Sequence, residues 1–192
     1  MTATTRDERF SDEIKILIDE RRIAERVQEL AATLEEALDA LDGPVTLVPV
    51  MTGSMLFTSD LIRHMNRPMR IAPVTVQSYP GSSTRSRGAR LQTPLPDALR
   101  GTNVVIVDDI LDSGGTLATL RRLIGAVEPA SIMACVLLRK NVEHDDSAVC
   151  EHAGFDIPDK FVVGYGLDYD GLYRNLPFIG ILPGHLVEEE AD

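Results

Sequence analysis

Residues 104–116, which read VVIVDDILDSGGT, constrain the fold of this chain more than any other segment. They begin with four consecutive β-branched residues, the composition of a strand buried on both faces of a parallel sheet. They end in a small, glycine-rich turn, after which apolar residues recur at helical spacing. Backbone N–H groups at such a strand–turn–helix junction bind anions, with the helix dipole adding positive potential. The segment therefore predicts a phosphate site at the carboxyl edge of a parallel sheet.

Three carboxylates lie between the apolar strand and the glycine-rich turn. Asp108 and Asp109 are adjacent at the strand end and can accept hydrogen bonds from the vicinal hydroxyls of a sugar. Asp112 follows three residues later, nearer the bond to be broken. The alternative is that these acids only cap a solvent-exposed turn, where Asp and Gly are common. Their combination with the apolar strand and the glycine-rich helix start favours a sugar-phosphate site.

Composition indicates one compact domain, with residues 1–11 as a loose polar tail. The chain has 192 residues, of which 44% are hydrophobic, enough for a substantial core. Its formal net charge is −11 and it has no long Lys/Arg run, which disfavours direct binding of nucleic acid. An acidic protein can still bind a polyphosphate when a divalent cation neutralises the ligand, so the charge points weakly towards metal dependence.

The two cysteines and the N-terminus favour a reducing cytoplasm. Cys135 and Cys150 lack CxxC spacing and support neither a disulfide framework nor a zinc site. Residues 1–12 are polar and charged, unlike a signal peptide, and no apolar run approaches the length that spans a membrane. We therefore expect a cytoplasmic protein with no membrane partner.

Strand and helix patterns alternate along most of the chain and predict an α/β fold, a mainly parallel twisted sheet flanked by helices. Residues 14–18 are a candidate edge strand, and Asp19 can cap a long amphipathic helix that Gly43-Pro44 ends. Another helix is expected from residue 55 and a third over 115–127. The remaining predicted strands are residues 45–50, 69–78, 103–107, 131–138, 161–163 and 178–181.

Residues 79–96 interrupt this alternation. They are rich in Gly, Ser, Thr, Arg and Pro and have almost no apolar residue that could face a core. A long segment of this kind inside a compact domain is either a functional lid or a surface loop. Composition alone leaves both possibilities open.

Two motifs in this order resemble a known family. Residues 105–116 resemble the ribose-phosphate motif of type I phosphoribosyltransferases, which use 5-phosphoribosyl-1-pyrophosphate (PRPP). Residues 157–169 (IPDKFVVGYGLDY) and 173–177 are similar to the purine-binding hood of hypoxanthine-guanine phosphoribosyltransferases. The resemblance covers residues 14–182 and implies a single phosphoribosyltransferase domain, with a small hood from the N-terminal segment and about 155–182. It also implies Mg²⁺ as cofactor and a homodimer or homotetramer.

The resemblance implies a role for each residue of the first motif. Asp108 and Asp109 would hold the ribose hydroxyls, and Asp112 would be the general base facing the purine N7. The 5′-phosphate would be held by the backbone amides of Ser113, Gly114, Gly115 and Thr116.

The resemblance also implies how the base and the leaving group are bound. Lys140 would donate to the purine O6, Phe161 would stack on the base, and the Val162 backbone would read its exocyclic position. Asp168 would be the Mg²⁺ ligand. Arg174 would reach the pyrophosphate.

Two further segments match the family less completely. Thr52 and Gly53 lie in a segment, residues 50–54, that resembles the pyrophosphate loop, where a cis Met51–Thr52 bond is expected. Many members have Lys or Arg where this chain has Thr52, and Asp108 replaces the more usual Glu. Ser78 and Tyr79 occupy the family's position in the catalytic lid.

The implied function is purine salvage, in which the phosphoribosyl group moves from PRPP to a 6-oxopurine and yields IMP or GMP with pyrophosphate. A regulatory protein on the same fold, binding nucleotides or RNA without turnover, is the main alternative. Retention of Asp112, Lys140, Phe161 and Asp168 together argues against it. A shift of substrate towards xanthine or a pyrimidine is a second alternative, since Lys140 with Phe161 favours a 6-oxopurine but leaves the C2 substituent open.

Overall fold

A computed structural model describes residues 14–77, 90–92 and 94–184 of the chain. The predicted tail, residues 1–11, lies outside the described residues, as do Ser78 and Tyr79 of the predicted lid. In chain order the elements are β1 (Lys15–Ile18), α1 (Glu20–Asp39), β2 (Val45–Met51), α2 (Met55–Arg63), β3 (Arg70–Ile71), β4 (Val74–Gln77), β5 (Arg90–Leu91), a 3₁₀ turn (Asp97–Leu99), β6 (Asn103–Leu111), α3 (Gly115–Gly125), β7 (Ser131–Lys140), β8 (His152–Ile157), β9 (Val162–Val163) and β10 (Ile179–Ile181).

The larger sheet has the strand order β5-β4-β2-β6-β7-β8, with β3 also paired to β2. All its pairs are parallel except β4 with β5. The predicted mainly parallel α/β sheet is therefore confirmed. Because β2, β6 and β7 run in the same direction side by side, the segments that follow them emerge at one edge.

Strand β6 has helices on both faces. Val105 and Val107 pack into a core with α1 and α2. Val104 and Ile106, which point to the opposite face, pack with α3. All four are 0% exposed. An uninterrupted β-branched run suits this position because neither face of the strand meets water.

Helix α1 begins where its cap predicts and ends earlier than expected. The Asp19 carboxylate accepts a hydrogen bond from the Arg22 N–H at 3.0 Å, which satisfies one of the free donors of the first turn. The helix ends at Asp39, before the Gly43-Pro44 stop predicted for it. Its buried residues, spaced three and four apart, are Ile23, Val27, Leu30, Leu34 and Leu38, with Ala31 beside them.

A smaller antiparallel sheet joins the two ends of the described chain, with strand order β1-β10-β9. It has its own small core of Ile14, Val163 and Leu182. The assignment of this unit as a purine-binding hood within a single domain stays a prediction.

Residues 155–157, at the start of the segment predicted for the hood (about 155–182), lie in the larger sheet. They belong to β8, which pairs in parallel with β7 and brings Phe155 opposite Leu138. Arg26 of α1 covers the outer edge of this strand, donating to the carbonyl oxygens of Ala153 at 3.0 Å and Gly154 at 2.6 Å. The HAGFDI segment of β8 has little strand character by itself, so local patterns did not predict this strand.

Other strand boundaries also differ from the predicted ones. Pairing with neighbouring strands extends two strands, and Pro73 divides a third. Strand β6 continues through the acids to Leu111, since Asp108 and Ile110 still pair with β7. Strand β7 extends to Lys140 by pairing with β8. The predicted strand 69–78 is split into β3 and β4 at Pro73, which has no N–H to donate to a ladder.

None of the helices in the described ranges has the length and hydropathy needed to cross a membrane.

Gly164 follows β9, and its substitution tests the packing of the smaller sheet. It has φ +98°, and a Cβ there would collide with the carbonyl oxygen of Phe178. Gly101 is a matched control, with φ +67° and no atom within 4 Å of an added Cβ. We expect Gly101→Ala to lower the free energy of unfolding by about 1 kcal/mol through backbone strain. Gly164→Ala should lower it by about 1–3 kcal/mol more. Urea unfolding measures both, and equal losses would contradict the proposed collision.

Candidate active site

The glycine-rich turn links β6 to α3 and forms the floor of an open cavity of about 240 Å³. Gly114 precedes the helix with φ +91°, a left-handed conformation that favours glycine. The first N–H groups of α3 have no partner within the helix and are available to an anion. The predicted phosphate-binding residues that line this cavity are Ser113, Gly114, Gly115 and Thr116.

The segment after β7 packs against this turn from the outside. The Asp145 N–H donates to the Ser113 carbonyl oxygen at 3.0 Å. A Cβ on Gly114 would lie 2.6 Å from the Cβ of Ala148. Gly114 is therefore required both by its φ and by the closeness of Ala148. Residues 145–148 carry no sequence pattern that links them to the turn, so this support could not be predicted from motifs.

Asp108 and Asp109 lie at the same cavity, in the last part of β6. The Asp109 N–H donates to the Asp108 carboxylate at 3.0 Å, and the Ile110 N–H donates to the Asp109 carboxylate at 2.9 Å. Burial, together with the charge of Asp109, raises the pKa of Asp108 well above its ordinary value. Burial also raises the pKa of Asp109, although hydrogen bonds and the positive charge of Arg174 act against the shift.

The predicted pyrophosphate loop follows β2 and packs directly against these acids. Its Met51–Thr52 peptide bond is cis, as expected. A Cβ on Gly53 would collide with the Asp109 carboxylate, and a Cβ on Gly166 would collide with the Gly53 carbonyl oxygen. Met51 and Gly53 line the cavity, whereas Thr52 is exposed beside it. The segments that contain Gly53, Asp109 and Gly166 are distant in sequence, and they approach so closely here that only glycine fits at positions 53 and 166.

A second cavity, of about 180 Å³, adjoins the first. The residues that line both are Asp109, Ile110 and Asp112. The other residues around the second cavity are Lys140, Lys160, Phe161, Val162, Leu167 and Asp168. The predicted base-binding residues thus lie next to the predicted sugar-phosphate site, with Asp112 at the junction.

Lys140 ends β7 and points its ammonium between two carboxylates. Its Nζ lies 2.9 Å from Asp112 Oδ2 and 3.1 Å from Asp159 Oδ1. Burial of the ammonium lowers the pKa of Lys140, but the two carboxylates more than offset this and raise the pKa above its ordinary value. Asp159 lies in the predicted hood motif but was not among the predicted site residues. Its side chain is 66% exposed, yet it is paired with Lys140.

Phe161 presents an aromatic ring to the second cavity. The residue is 41% exposed, unusual for a large apolar residue, and its ring contacts Tyr169 edge to face with centroids 5.4 Å apart. Val162 follows as the first residue of β9 and is buried. A planar ligand in this cavity could stack on the free face of Phe161.

Asp168 lines the same cavity and forms an ion pair with Arg174, which itself lines neither cavity. Arg174 Nη2 lies 2.7 Å from Asp168 Oδ1, and Arg174 Nη1 donates to the Gly166 carbonyl oxygen at 2.6 Å. The Gly171 N–H donates to the other oxygen of Asp168 at 2.8 Å. Arg174 therefore has both a carboxylate and a backbone partner, and its positive charge also acts on Asp109.

The donor set near Asp168 fits a cation that is shared with a ligand. Within the described ranges, no group of three or more His, Cys, Asp or Glu side chains could hold a metal ion alone. However, Asp109 and Asp168 line one cavity, and Mg²⁺ is commonly held by one or two carboxylates with the remaining positions filled by substrate phosphates and water. The residues are therefore compatible with Mg²⁺ that arrives with a phosphorylated substrate.

Comparison with known proteins places the site in a family. Residues 13–170 match the phosphoribosyl transferase domain family. A hypoxanthine phosphoribosyltransferase of Salmonella typhimurium is 36% identical over 167 residues, which cover 87% of this chain and 94% of the relative. A hypoxanthine-guanine phosphoribosyltransferase of Mycobacterium tuberculosis is 40% identical over 162 residues, 84% of this chain and 80% of that protein.

A solved structure agrees with these sequence matches. The crystal structure of a hypoxanthine phosphoribosyltransferase from Staphylococcus aureus superposes with a TM-score of 0.85 at 33% identity, covering 94% of this chain and 98% of that one. The parallel sheet, the acids that precede the glycine-rich turn and the adjoining aromatic cavity are thus found in a chain with extensive similarity to these enzymes. The protein belongs to the phosphoribosyltransferase family, in the group of hypoxanthine and hypoxanthine-guanine phosphoribosyltransferases.

Proposed function

We propose that this enzyme transfers the 5-phosphoribosyl group of PRPP to a 6-oxopurine, hypoxanthine or guanine or both, and releases IMP or GMP with pyrophosphate. The observation that carries the proposal is the junction of the two cavities at Asp112. A sugar phosphate on the glycine-rich turn and a planar base on Phe161 would meet beside this carboxylate. Attack of a base nitrogen on the sugar carbon requires that arrangement.

The acids and the turn would bind and polarise the sugar. The amides of residues 113–116 would hold the 5′-phosphate, and Asp108 and Asp109 would accept hydrogen bonds from the ribose hydroxyls. Loss of pyrophosphate develops positive charge on the ribose, which nearby carboxylates stabilise. Asp112 would take the proton that the purine loses as its nitrogen attacks.

The second cavity would select the base. The Lys140 ammonium can donate to the O6 of hypoxanthine or guanine, whereas the amino group of adenine would place a donor against a donor. Phe161 would stack on the ring and the Val162 backbone would contact its exocyclic edge. The described residues leave the C2 substituent open, so xanthine remains to be tested beside hypoxanthine and guanine.

Arg174 and Asp168 would serve the leaving group. Arg174 would exchange part of its contact with Asp168 for the pyrophosphate, and Asp168 would then be available to Mg²⁺. When bound, Mg²⁺ neutralises charge on the departing pyrophosphate. Gly53 would let the pyrophosphate approach the backbone, and Thr52, being uncharged, would add no cationic contact there. Ser78 and Tyr79 are proposed to close over the site.

Cellular location and assembly are part of the same proposal. Cys135 and Cys150 are both free thiols, in keeping with a reducing cytoplasm. We expect a homodimer or homotetramer, which light scattering on the purified protein would measure, and no nucleic-acid or membrane partner.

Turnover tests the proposed reaction directly. The purified protein is assayed spectrophotometrically with PRPP and Mg²⁺ and, separately, hypoxanthine, guanine, xanthine, adenine or uracil. We expect turnover with hypoxanthine, guanine or both, and little with adenine or uracil because they lack a suitably placed O6 on a purine ring. Absence of turnover with every base would reject the enzyme assignment in favour of a nucleotide-binding regulator.

Asp112→Asn tests the general base. The amide keeps the shape of the side chain and can still accept a hydrogen bond from Lys140, but it cannot take a proton at neutral pH. We expect kcat to fall about 10²- to 10⁴-fold while the Kd of PRPP, measured by calorimetry, stays close to that of the parent. Asp97→Asn, an exposed carboxylate of the 3₁₀ turn, is the control and should change neither. An unchanged kcat in the Asp112 variant would remove this residue from its role.

Asp108→Asn tests the stability cost of the sugar-binding acids. Because burial raises the pKa of Asp108 in the folded state, ionisation destabilises the fold once the pH rises above the unfolded value of about 3.9, and fully so above the folded pKa. The neutral variant should therefore have a higher Tm at pH 8, by about 2–4 °C for each kcal/mol gained. The difference should disappear as the pH falls towards 4. A lower Tm at pH 8, or a difference independent of pH, would show that the charge is not the cause.

A further inference from the structure

We propose that Asp159 is a positioning residue for the base: its carboxylate holds the Lys140 ammonium towards the 6-oxo group and leaves Asp112 free to accept the proton. This inference rests on the proposed function and assigns a role to a residue outside the set predicted for the site. Asp159 would act through Lys140, without touching the reacting atoms.

Strand pairing and a tight turn together position Asp159 beside Lys140. Lys140 lies opposite Ile157 at the end of the β7–β8 ladder, so the chain passes Lys140 just before it reaches Asp159. The Lys160 N–H donates to the Pro158 carbonyl oxygen at 2.9 Å, which closes a three-residue turn centred on Asp159. Its Oδ1 then lies 3.1 Å from Lys140 Nζ.

The ammonium has three N–H donors, and two carboxylates account for two of them. Asp112 comes from the turn after β6, and Asp159 comes from the segment that leads into β9, so the two acids approach Lys140 from different elements. One donor remains for a ligand in the cavity that Lys140 lines. With both carboxylates in place, the direction of that donor is restricted.

Charge compensation explains why a second carboxylate is needed. The Lys140 side chain is only 12% exposed, so its charge requires an anionic partner. If Asp112 were that sole partner, its movement towards the purine would leave a largely buried ammonium uncompensated. Asp159 keeps the ammonium paired throughout, and Asp112 can therefore turn to the base without that penalty.

Asp159→Asn and Asp159→Glu test the role, with Asp156→Asn as matched control. Asp156 also pairs with a cation of β7, Arg139 at 2.6 Å, but neither residue lines the base cavity. The measurements are the KM of hypoxanthine, the KM of PRPP, and the Ki of unsubstituted purine, which lacks the 6-oxo group. If Asp159 had a merely structural role, its substitution would weaken the binding of hypoxanthine and of purine equally.

We expect Asp159→Asn to raise the KM of hypoxanthine about tenfold, the size expected for a hydrogen bond to a charged group. The KM of PRPP and the Ki of purine should stay at parental values. Asp159→Glu should recover most of the loss, and Asp156→Asn should show none. Parental KM for hypoxanthine in Asp159→Asn, or an equal loss for hypoxanthine and purine, would overturn the inference.

Lys140→Ala separates this inference from the proposed function. If Lys140→Ala abolishes the preference for hypoxanthine over purine while Asp159→Asn leaves it intact, Lys140 keeps its proposed role and only the inference on Asp159 fails. If Lys140→Ala leaves the preference intact, the proposed recognition of O6 fails as well. Loss of the preference in both variants supports both.

Discussion

Parallel pairing of β2, β6 and β7 is the constraint on which the rest of the site depends. Because β6 is buried on both faces and bonded to a parallel neighbour on each side, the three carboxyl ends must meet at one edge. The three ends carry, in that order, the proposed pyrophosphate loop, the acids Asp108 and Asp109 with the glycine-rich turn, and Lys140. A shift of one residue in either ladder would turn alternate side chains to the wrong face and separate these groups.

The same edge of the sheet carries buried carboxylates, whose ionisation burial disfavours. Asp108 is 7% exposed and lies next to Asp109, so the fold retains an acid whose ionisation burial opposes. Backbone N–H groups of β6 compensate part of this cost, and the positive charge of Arg174, from another element, favours ionisation of Asp109. Such strain is common where a site must bind a charged ligand, and stability elsewhere then rests on the apolar packing of α1, α2 and α3.

Much of this arrangement could be predicted from local patterns. The β-branched run of β6, the Asp19 cap and the glycine-rich turn each specify their conformation through nearby residues, and all three are present. The missed features depend on distant partners. Strand β8 forms because β7 offers an edge and Arg26 caps the other side, and Asp159 is fixed only by the place where that ladder ends. The role of each site residue also depends on which substrate it contacts, and a local sequence pattern does not specify the substrate.

The ion pairs at this edge have a consequence for how ligands exchange. Lys140 is paired with two carboxylates, and Arg174 with Asp168, within the protein itself. Binding of an anion at Arg174 would then be an exchange of partners, in which the gain from the new contact is reduced by the loss of part of the contact with Asp168. Asp168 would pair with Arg174 again when the product departs. A cation that is already paired within the protein would give up some ground-state affinity for its ligand and in return lower the barrier to product release.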